Sequence, residues 1–144
     1  MNLLKQHIFC TLFLLFIILL IFIIGAIRCK THYDPLLHKF IGKVDGWMVS
    51  HFITFAFIGF YFPDTFIYAM ILGVMWELIE NMLGKFKPSR FKSFGFCIDD
   101  KQKLKGNFHG ASWWYGQYED VIADAIGFIF GKYLLSFYTS ETLK

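Results

Sequence analysis

The sequence predicts an all-α membrane protein, a polytopic helical bundle with about four transmembrane helices. Of the 144 residues, 56% are hydrophobic, whereas soluble domains contain roughly 45–50% apolar residues. The excess is concentrated in four apolar segments that polar stretches separate. We therefore treat residues 1–144 as a single membrane domain with spans at 8–28, 47–62, 65–83 and 119–138.

The first apolar segment, Ile8 to Ile27, contains no charged residue. A helix of this length crosses about 30 Å of hydrocarbon. A signal peptide is the alternative, with Lys5 in its charged region. Its apolar run would be unusually long, however, and no small-x-small cleavage site follows it. We expect an uncleaved first transmembrane helix.

The other three segments differ in length. The second is interrupted only by His51 and small polar groups, and it ends at Pro63-Asp64, a pair that favours a turn. The second and fourth segments are short for full spans, so we expect them to extend into their flanks or to tilt in a thinned bilayer.

Basic residues are concentrated in two polar stretches, 28–46 and the long basic loop 84–118, which hold eleven of the fourteen Lys and Arg residues. Four spans place both stretches on one side, and the positive-inside rule assigns that side to the cytosol. We expect a multi-pass protein of an endomembrane such as the endoplasmic reticulum. We expect no nucleic-acid partner and allow for a homo-oligomer.

The three cysteines, Cys10, Cys29 and Cys97, match neither a metal-binding nor a redox-active spacing. Their number is odd, and we expect free thiols.

Ionisable side chains inside apolar segments carry the functional signal, because each charge in hydrocarbon costs about 2.5–3.5 kcal/mol even on lenient scales. Five such residues lie within or at the ends of the predicted spans: His51, Glu77, Glu80, Asp120 and Asp124. With four crossings, all five lie at a similar depth in one leaflet. The two glutamates are three residues apart and the two aspartates four, so each pair shares a helix face.

Four carboxylates in a low-dielectric pocket would repel one another unless some are protonated or a cation lies among them. Carboxylate oxygens suit a divalent cation, Ca²⁺ first, with Mg²⁺ or Mn²⁺ as alternatives. We predict ligands from Glu77, Glu80, Asp120 and Asp124. His51 could be a ligand, a general base or a hydrogen-bond partner of Asp45. The alternative is acids that snorkel to the interface beside a packing histidine.

The fourth segment also contains a G-x-x-x-G pair, Gly127 and Gly131. Small residues at this spacing allow two helices to approach closely. We therefore assign these glycines to helix packing.

A set of motifs resembles the core of the base-exchange phosphatidylserine synthases. The most specific element is Trp76-Glu77-Leu78-Ile79-Glu80 with Pro88 eight residues later. The other matching positions are Asp45, His51-Phe52, Trp113-Trp114, Asp120, Gly127 and Gly131. The family's Asp after the tryptophan pair is Tyr115 here, and its Asn in the last helix is Ala125.

The resemblance implies a calcium-dependent phosphatidyltransferase. In that reaction serine displaces choline or ethanolamine from a phospholipid without a nucleotide cofactor. We expect His51 to take the proton of the incoming alcohol, with Asp45 assisting. The residues expected to border the lipid are Trp76, Trp113, Trp114 and Asn81. A looser resemblance to VanZ-like small membrane proteins supports the alternative, a non-enzymatic protein that binds or transports cations.

Overall fold

The computed structural model describes residues 2–31, 36, 39–41, 44–86, 95, 114 and 116–142. Their elements are α1 (Leu3–Thr31), β1 (Lys39–Ile41), β2 (Val44–Asp45), α2 (Gly46–Tyr61), α3 (Phe66–Phe86) and α4 (Tyr118–Thr142). The prediction of an all-α fold is confirmed. The sequence analysis did not predict the short antiparallel pair of β1 and β2, which directly precedes α2.

Three of these helices, α1, α3 and α4, are long and apolar enough to cross a membrane, as expected for an integral membrane protein. Helix α2 has 16 residues and is therefore about 24 Å long, shorter than the hydrocarbon core. Its limits agree with the predicted second span within one residue. The predicted basic loop begins inside α3, and most of that loop lies outside the described residues.

Local hydrogen bonds fix both ends of α2. Asp45 is its N-cap, and one carboxylate oxygen accepts the backbone N–H of Met48 at 3.0 Å. This satisfies one of the N–H groups that a helix start leaves unpaired. At the other end, the Thr65 N–H donates to the Phe62 carbonyl at 3.1 Å. The turn enclosed by that bond contains Pro63 and Asp64, as predicted.

Helices α2 and α4 pack backbone against backbone through glycines. A Cβ atom at Gly127 would overlap the carbonyl oxygen of Phe52, and one at Gly131 would overlap that of Ala56. On the opposite helix, a Cβ atom at Gly59 would overlap the carbonyl oxygen of Phe128. Small residues from both helices thus allow an approach that larger side chains would prevent.

Helix α1 is attached mainly near its N-terminal end. Thr11 Oγ1 and the Tyr68 hydroxyl are 2.6 Å apart, and the Gln6 amide donates to Asp64 Oδ2 at 3.0 Å. The side chain of Cys10 is fully buried and belongs to a core cluster with residues of α2, α3 and α4. Further along, the rings of Phe22 and Trp114 lie 5.2 Å apart.

The contacts at the ends of the helices show which ends lie together. Lys132 in α4 donates to the Pro63 carbonyl at 3.0 Å, at the end of the bundle where Gln6 meets Asp64. At the opposite end, Arg28 lies 3.5 Å from the carbonyl oxygen of Gly95, in the basic loop. Arg28 of the first basic stretch and Gly95 of the second therefore lie at the same end, as four alternating helices require.

The structure corrects the expectation of free thiols. Cys29 is disulfide-bonded, whereas Cys10 is free.

Candidate metal centre

Three helices bring ionisable side chains to one point. His51 lies in the second turn of α2, Glu77 in the C-terminal half of α3, and Asp120 in the first turn of α4. One nitrogen or oxygen atom from each of these residues lies within 4.8 Å of the other two. This meeting of His51, Glu77 and Asp120 was expected from their common depth.

Asp124 fixes the orientation of the His51 ring. His51 Nδ1 lies 2.9 Å from Asp124 Oδ1, so an Nδ1–H donates to the carboxylate and Nε2 is the ring nitrogen on the side of Glu77. Nε2 in turn lies 3.6 Å from Glu77 Oε1, which is too long for a hydrogen bond. The imidazole therefore presents Nε2 towards the glutamate and leaves a gap between them.

The backbone before α4 holds Glu77 in place. The Gln117 N–H donates to Glu77 Oε2 at 2.8 Å. The chain can approach this closely because residue 116 is glycine, since a Cβ atom there would overlap the Glu77 carbonyl oxygen. One carboxylate oxygen is thus occupied, and the other faces His51.

The acids of this cluster are buried. The exposed fractions are 7% for Glu77, 4% for Asp120 and 0% for Asp124. Glu77 Oε1 and Asp124 Oδ2 have no hydrogen-bond partner among the described residues. Within the same residues, the recorded ion pairs of Glu77 and Asp124 are with His51. Buried carboxylates with an unpaired oxygen are costly unless a cation or further donors satisfy them.

Two predicted site residues take other positions. Asp45 is buried, but its side chain caps α2, and Asp124 rather than Asp45 pairs with His51. Glu80 lies outside the group of converging donor atoms, although its carboxylate is within electrostatic range of Glu77, His51 and Asp120.

The residues expected to border the lipid separate into three groups. Trp114 is only 2% exposed and packs between Phe22 and Trp76, so it is an internal packing residue rather than an interfacial one. Trp76 lines an internal cavity, whereas Asn81 is exposed on α3. Trp113 lies outside the described residues.

Two glycines and a backbone N–H that were not predicted also position the site. Gly73 lies one helical turn before Glu77, and a Cβ atom there would come within 2.8 Å of Asp124 Oδ2. Gly116 and the Gln117 N–H hold Glu77. The four-residue spacing from Gly73 to Glu77 was a usable signal, because it places both on one face of α3. No local pattern links Gln117 to Glu77.

A cavity of about 300 Å³ lies between α1 and the pair of α2 and α3, near the lower end of the usual range for ligand pockets. We call it the α1 slit. Its walls are mostly aliphatic side chains of α1 and α3, and its polar groups include Ser50, His51 and Asp124. The α1 residues in its wall run from Thr11 to Ile24, about 20 Å along the helix. The slit thus connects an apolar passage with His51 and Asp124.

Comparison of the chain with protein-family models, with curated proteins and with solved structures found no match.

Proposed function

We propose that the protein is a metal-dependent enzyme that exchanges the head groups of phospholipids within the membrane. The observation that carries the proposal is that His51, one member of the donor cluster, also lines the α1 slit. Nitrogen and carboxylate donors of His51, Glu77 and Asp120 converge, and the slit that reaches His51 is lined mainly by apolar side chains. An amphiphile has this same division between a polar head and an apolar tail.

The slit is suited to an acyl chain. It extends about 20 Å along α1, and the outer face of α1 exposes residues such as Leu12, Phe16 and Leu19, as a lipid-facing helix does. A lipid whose tail lay in the slit would place its phosphodiester near His51 and Asp124. Apolar walls with a few convergent polar groups are typical of ligand pockets.

The electrostatics of the cluster support a cation. Three ionised carboxylates around one imidazole leave a net negative charge even when the imidazole is protonated. A bound divalent ion would balance this charge, polarise the phosphodiester and stabilise the charge that develops on its oxygens. Glu77 is held for this role by the Gln117 N–H.

The exchange reaction replaces one alcohol on the phosphorus atom with another. The hydroxyl oxygen of the incoming alcohol forms a bond to phosphorus, and the bond from phosphorus to the oxygen of the departing head group breaks. The proton of the incoming hydroxyl ends on the departing alcohol, so no net proton is consumed. Serine, ethanolamine and choline are the alcohols that the family resemblance suggests.

The test is incorporation of labelled alcohols by the purified protein in vesicles of phosphatidylcholine and phosphatidylethanolamine. With a divalent ion present, labelled serine, ethanolamine or choline should enter lipid, and a chelator should stop it. Glu77→Gln should reduce the rate by about 100-fold or more, because it removes a charged donor from the ion.

The matched control is Asp64→Asn, which changes a carboxylate at the other end of the bundle and keeps an oxygen that can accept from Gln6. It should leave the rate unchanged. Absence of incorporation with every alcohol and every divalent ion would overturn the enzymatic proposal. Ion binding without turnover would instead favour a cation-binding or transport protein.

A further inference from the structure

We propose that Nε2 of His51 is itself a ligand of the ion, with Asp124 as a positioning residue, and that the site selects a first-row transition ion such as Zn²⁺ or Mn²⁺ over Ca²⁺. This inference rests on the proposed function only in that an ion occupies the cluster. It differs from the calcium site and from the general-base role of His51 that the family resemblance implies.

The first argument is the direction of the imidazole. Asp124 Oδ1 accepts from Nδ1 at 2.9 Å, which leaves the lone pair of Nε2 on the side of Glu77. A carboxylate bonded to one nitrogen of a histidine while the other binds metal is the usual arrangement around metal-ligating imidazoles. The carboxylate fixes the tautomer and increases the basicity of the nitrogen that faces the ion.

The second argument is the gap between His51 Nε2 and Glu77 Oε1, which measures 3.6 Å. In a simple ion pair, a protonated Nε2 would draw the carboxylate to about 2.7–2.9 Å. Two ligands of one ion stand further apart, at roughly 3.0–3.4 Å when each bond is about 2.1 Å long, and the observed gap is slightly wider than this range. Glu77 keeps this separation because Gln117 holds its other oxygen.

The third argument is burial. Asp124 is completely buried, and a Cβ atom at Gly73 would crowd its Oδ2, so α3 leaves room for this carboxylate beside the imidazole. Glu77 Oε1, which is also buried, has no hydrogen-bond partner among the described residues. Opposite a neutral imidazole, whose Nε2 carries a lone pair, this oxygen is in an unfavourable position that a shared cation would relieve.

The donor set then decides the class of ion. Imidazole nitrogen is a good ligand for Zn²⁺, Fe²⁺ and other first-row ions, whereas Ca²⁺ takes oxygen ligands. One imidazole with two carboxylates therefore favours a transition ion. An imidazole nitrogen bound to the ion cannot also accept the proton of an alcohol.

Pulsed electron paramagnetic resonance of Mn²⁺ tests the ligand directly. The full-length protein is stripped with a chelator in detergent and loaded with Mn²⁺, and the coupling of the ion to a histidine nitrogen is measured. We expect this coupling in the wild type and its loss in His51→Ala. Bound Mn²⁺ without nitrogen coupling in the wild type would overturn the proposal, and this result does not depend on how the variant folds.

Calorimetric titration of the stripped protein tests the selectivity and the role of Asp124. Zn²⁺ should bind at least about 100-fold more tightly than Ca²⁺. Asp124→Asn should weaken Zn²⁺ binding by about 10–100-fold and reduce the nitrogen coupling, while Asp64→Asn should change neither. Equal affinity for Zn²⁺ and Ca²⁺ would overturn the inference.

The nitrogen-coupling and lipid-exchange measurements test the inferred metal site and the proposed function independently. Nitrogen coupling without lipid exchange would sustain the metal site and overturn the proposed reaction. Lipid exchange supported by Ca²⁺ without nitrogen coupling would sustain the proposed reaction and overturn the inferred metal site. Failure to bind any of these ions would overturn both.

Discussion

The pair of α2 and α4 and the single helix α1 are attached to the rest of the protein in opposite ways. Glycines bring α2 and α4 into backbone contact at three places, and these two helices supply His51, Asp120 and Asp124. In α1, 11% of the most apolar stretch is buried, against 28% in α4. The α1 slit separates much of its length from α2 and α3.

This difference in packing suits the α2–α4 pair and helix α1 to different roles in the proposed function. Donor atoms must be held within fractions of an ångström to bind an ion, and the close contact of α2 and α4 provides that rigidity. The proposed lipid substrate would enter from the side, and a helix with a small buried share can move to admit it. In the proposed enzyme, α2 and α4 thus position the donor atoms, whereas α1 borders the path by which the lipid enters.

The largest expected effect comes from disrupting the close packing of α2 against α4. In Gly131→Leu, the side chain would overlap the Ala56 carbonyl oxygen and crowd the Phe60 nitrogen, and we expect destabilisation of more than about 3 kcal/mol. Metal binding should be lost as well, because α2 and α4 both carry donors. Thermal unfolding in detergent and Zn²⁺ titration measure the two effects.

The control for this change is Ile129→Phe, which adds bulk on the same helix at a side chain that is 61% exposed. It should leave both measurements near wild type. Equal stability of the two variants would show that the α2–α4 contact is not the rigid part of the protein.

An intermediate effect is expected from filling the α1 slit. Ile18 lines the slit, and Ile18→Trp should slow lipid exchange by roughly 10-fold or more without lowering the melting temperature, because it occupies the space of a ligand. The neighbouring Leu19 is 56% exposed, and Leu19→Trp should have no effect on rate. Equal rates in the two variants would argue against the slit as the lipid site.

The smallest effect concerns the attachment of α1. Tyr68→Phe removes the hydroxyl that lies 2.6 Å from Thr11, which we expect to cost about 0.6 kcal/mol, the average for hydrogen bonds between membrane helices. Hydrogen exchange should increase in α1 and stay unchanged in α2. Tyr133→Phe, at an exposed side chain of α4, should change neither, and faster exchange in α2 would mean that the two regions are not independent.

The helices and the depth of the site were predictable because both follow from the order of apolar and polar residues along the chain. Apolar segments ended within a few residues of the helices, and an even number of crossings put His51, Glu77 and Asp120 at one level. The pairing of His51 with Asp124 was not predictable, since Asp45 lies nearer in sequence and only the rotation of α4 about its axis decides between them.

Two other features depend on the distances between helices, which no pattern in the sequence encodes. Trp114 was expected to border the lipid, but packing between α1 and α3 buries it. The α1 slit depends on how far α1 stands from its neighbours, which the aliphatic composition of α1 does not determine. The strands β1 and β2 are too short to show an alternating pattern.

The disulfide bond of Cys29 restricts the orientation of the protein in its membrane. Disulfides persist in oxidising compartments such as the lumen of the endoplasmic reticulum or the cell exterior, whereas the cytosol keeps thiols reduced. Cys29 lies near the end of α1, next to Arg28 and at the end of the bundle that carries the candidate metal centre. If that end faced the cytosol, as the basic residues predict, Cys29 would be reduced. The opposite orientation preserves the bond and places the candidate metal centre at the end of the bundle that faces the oxidising side.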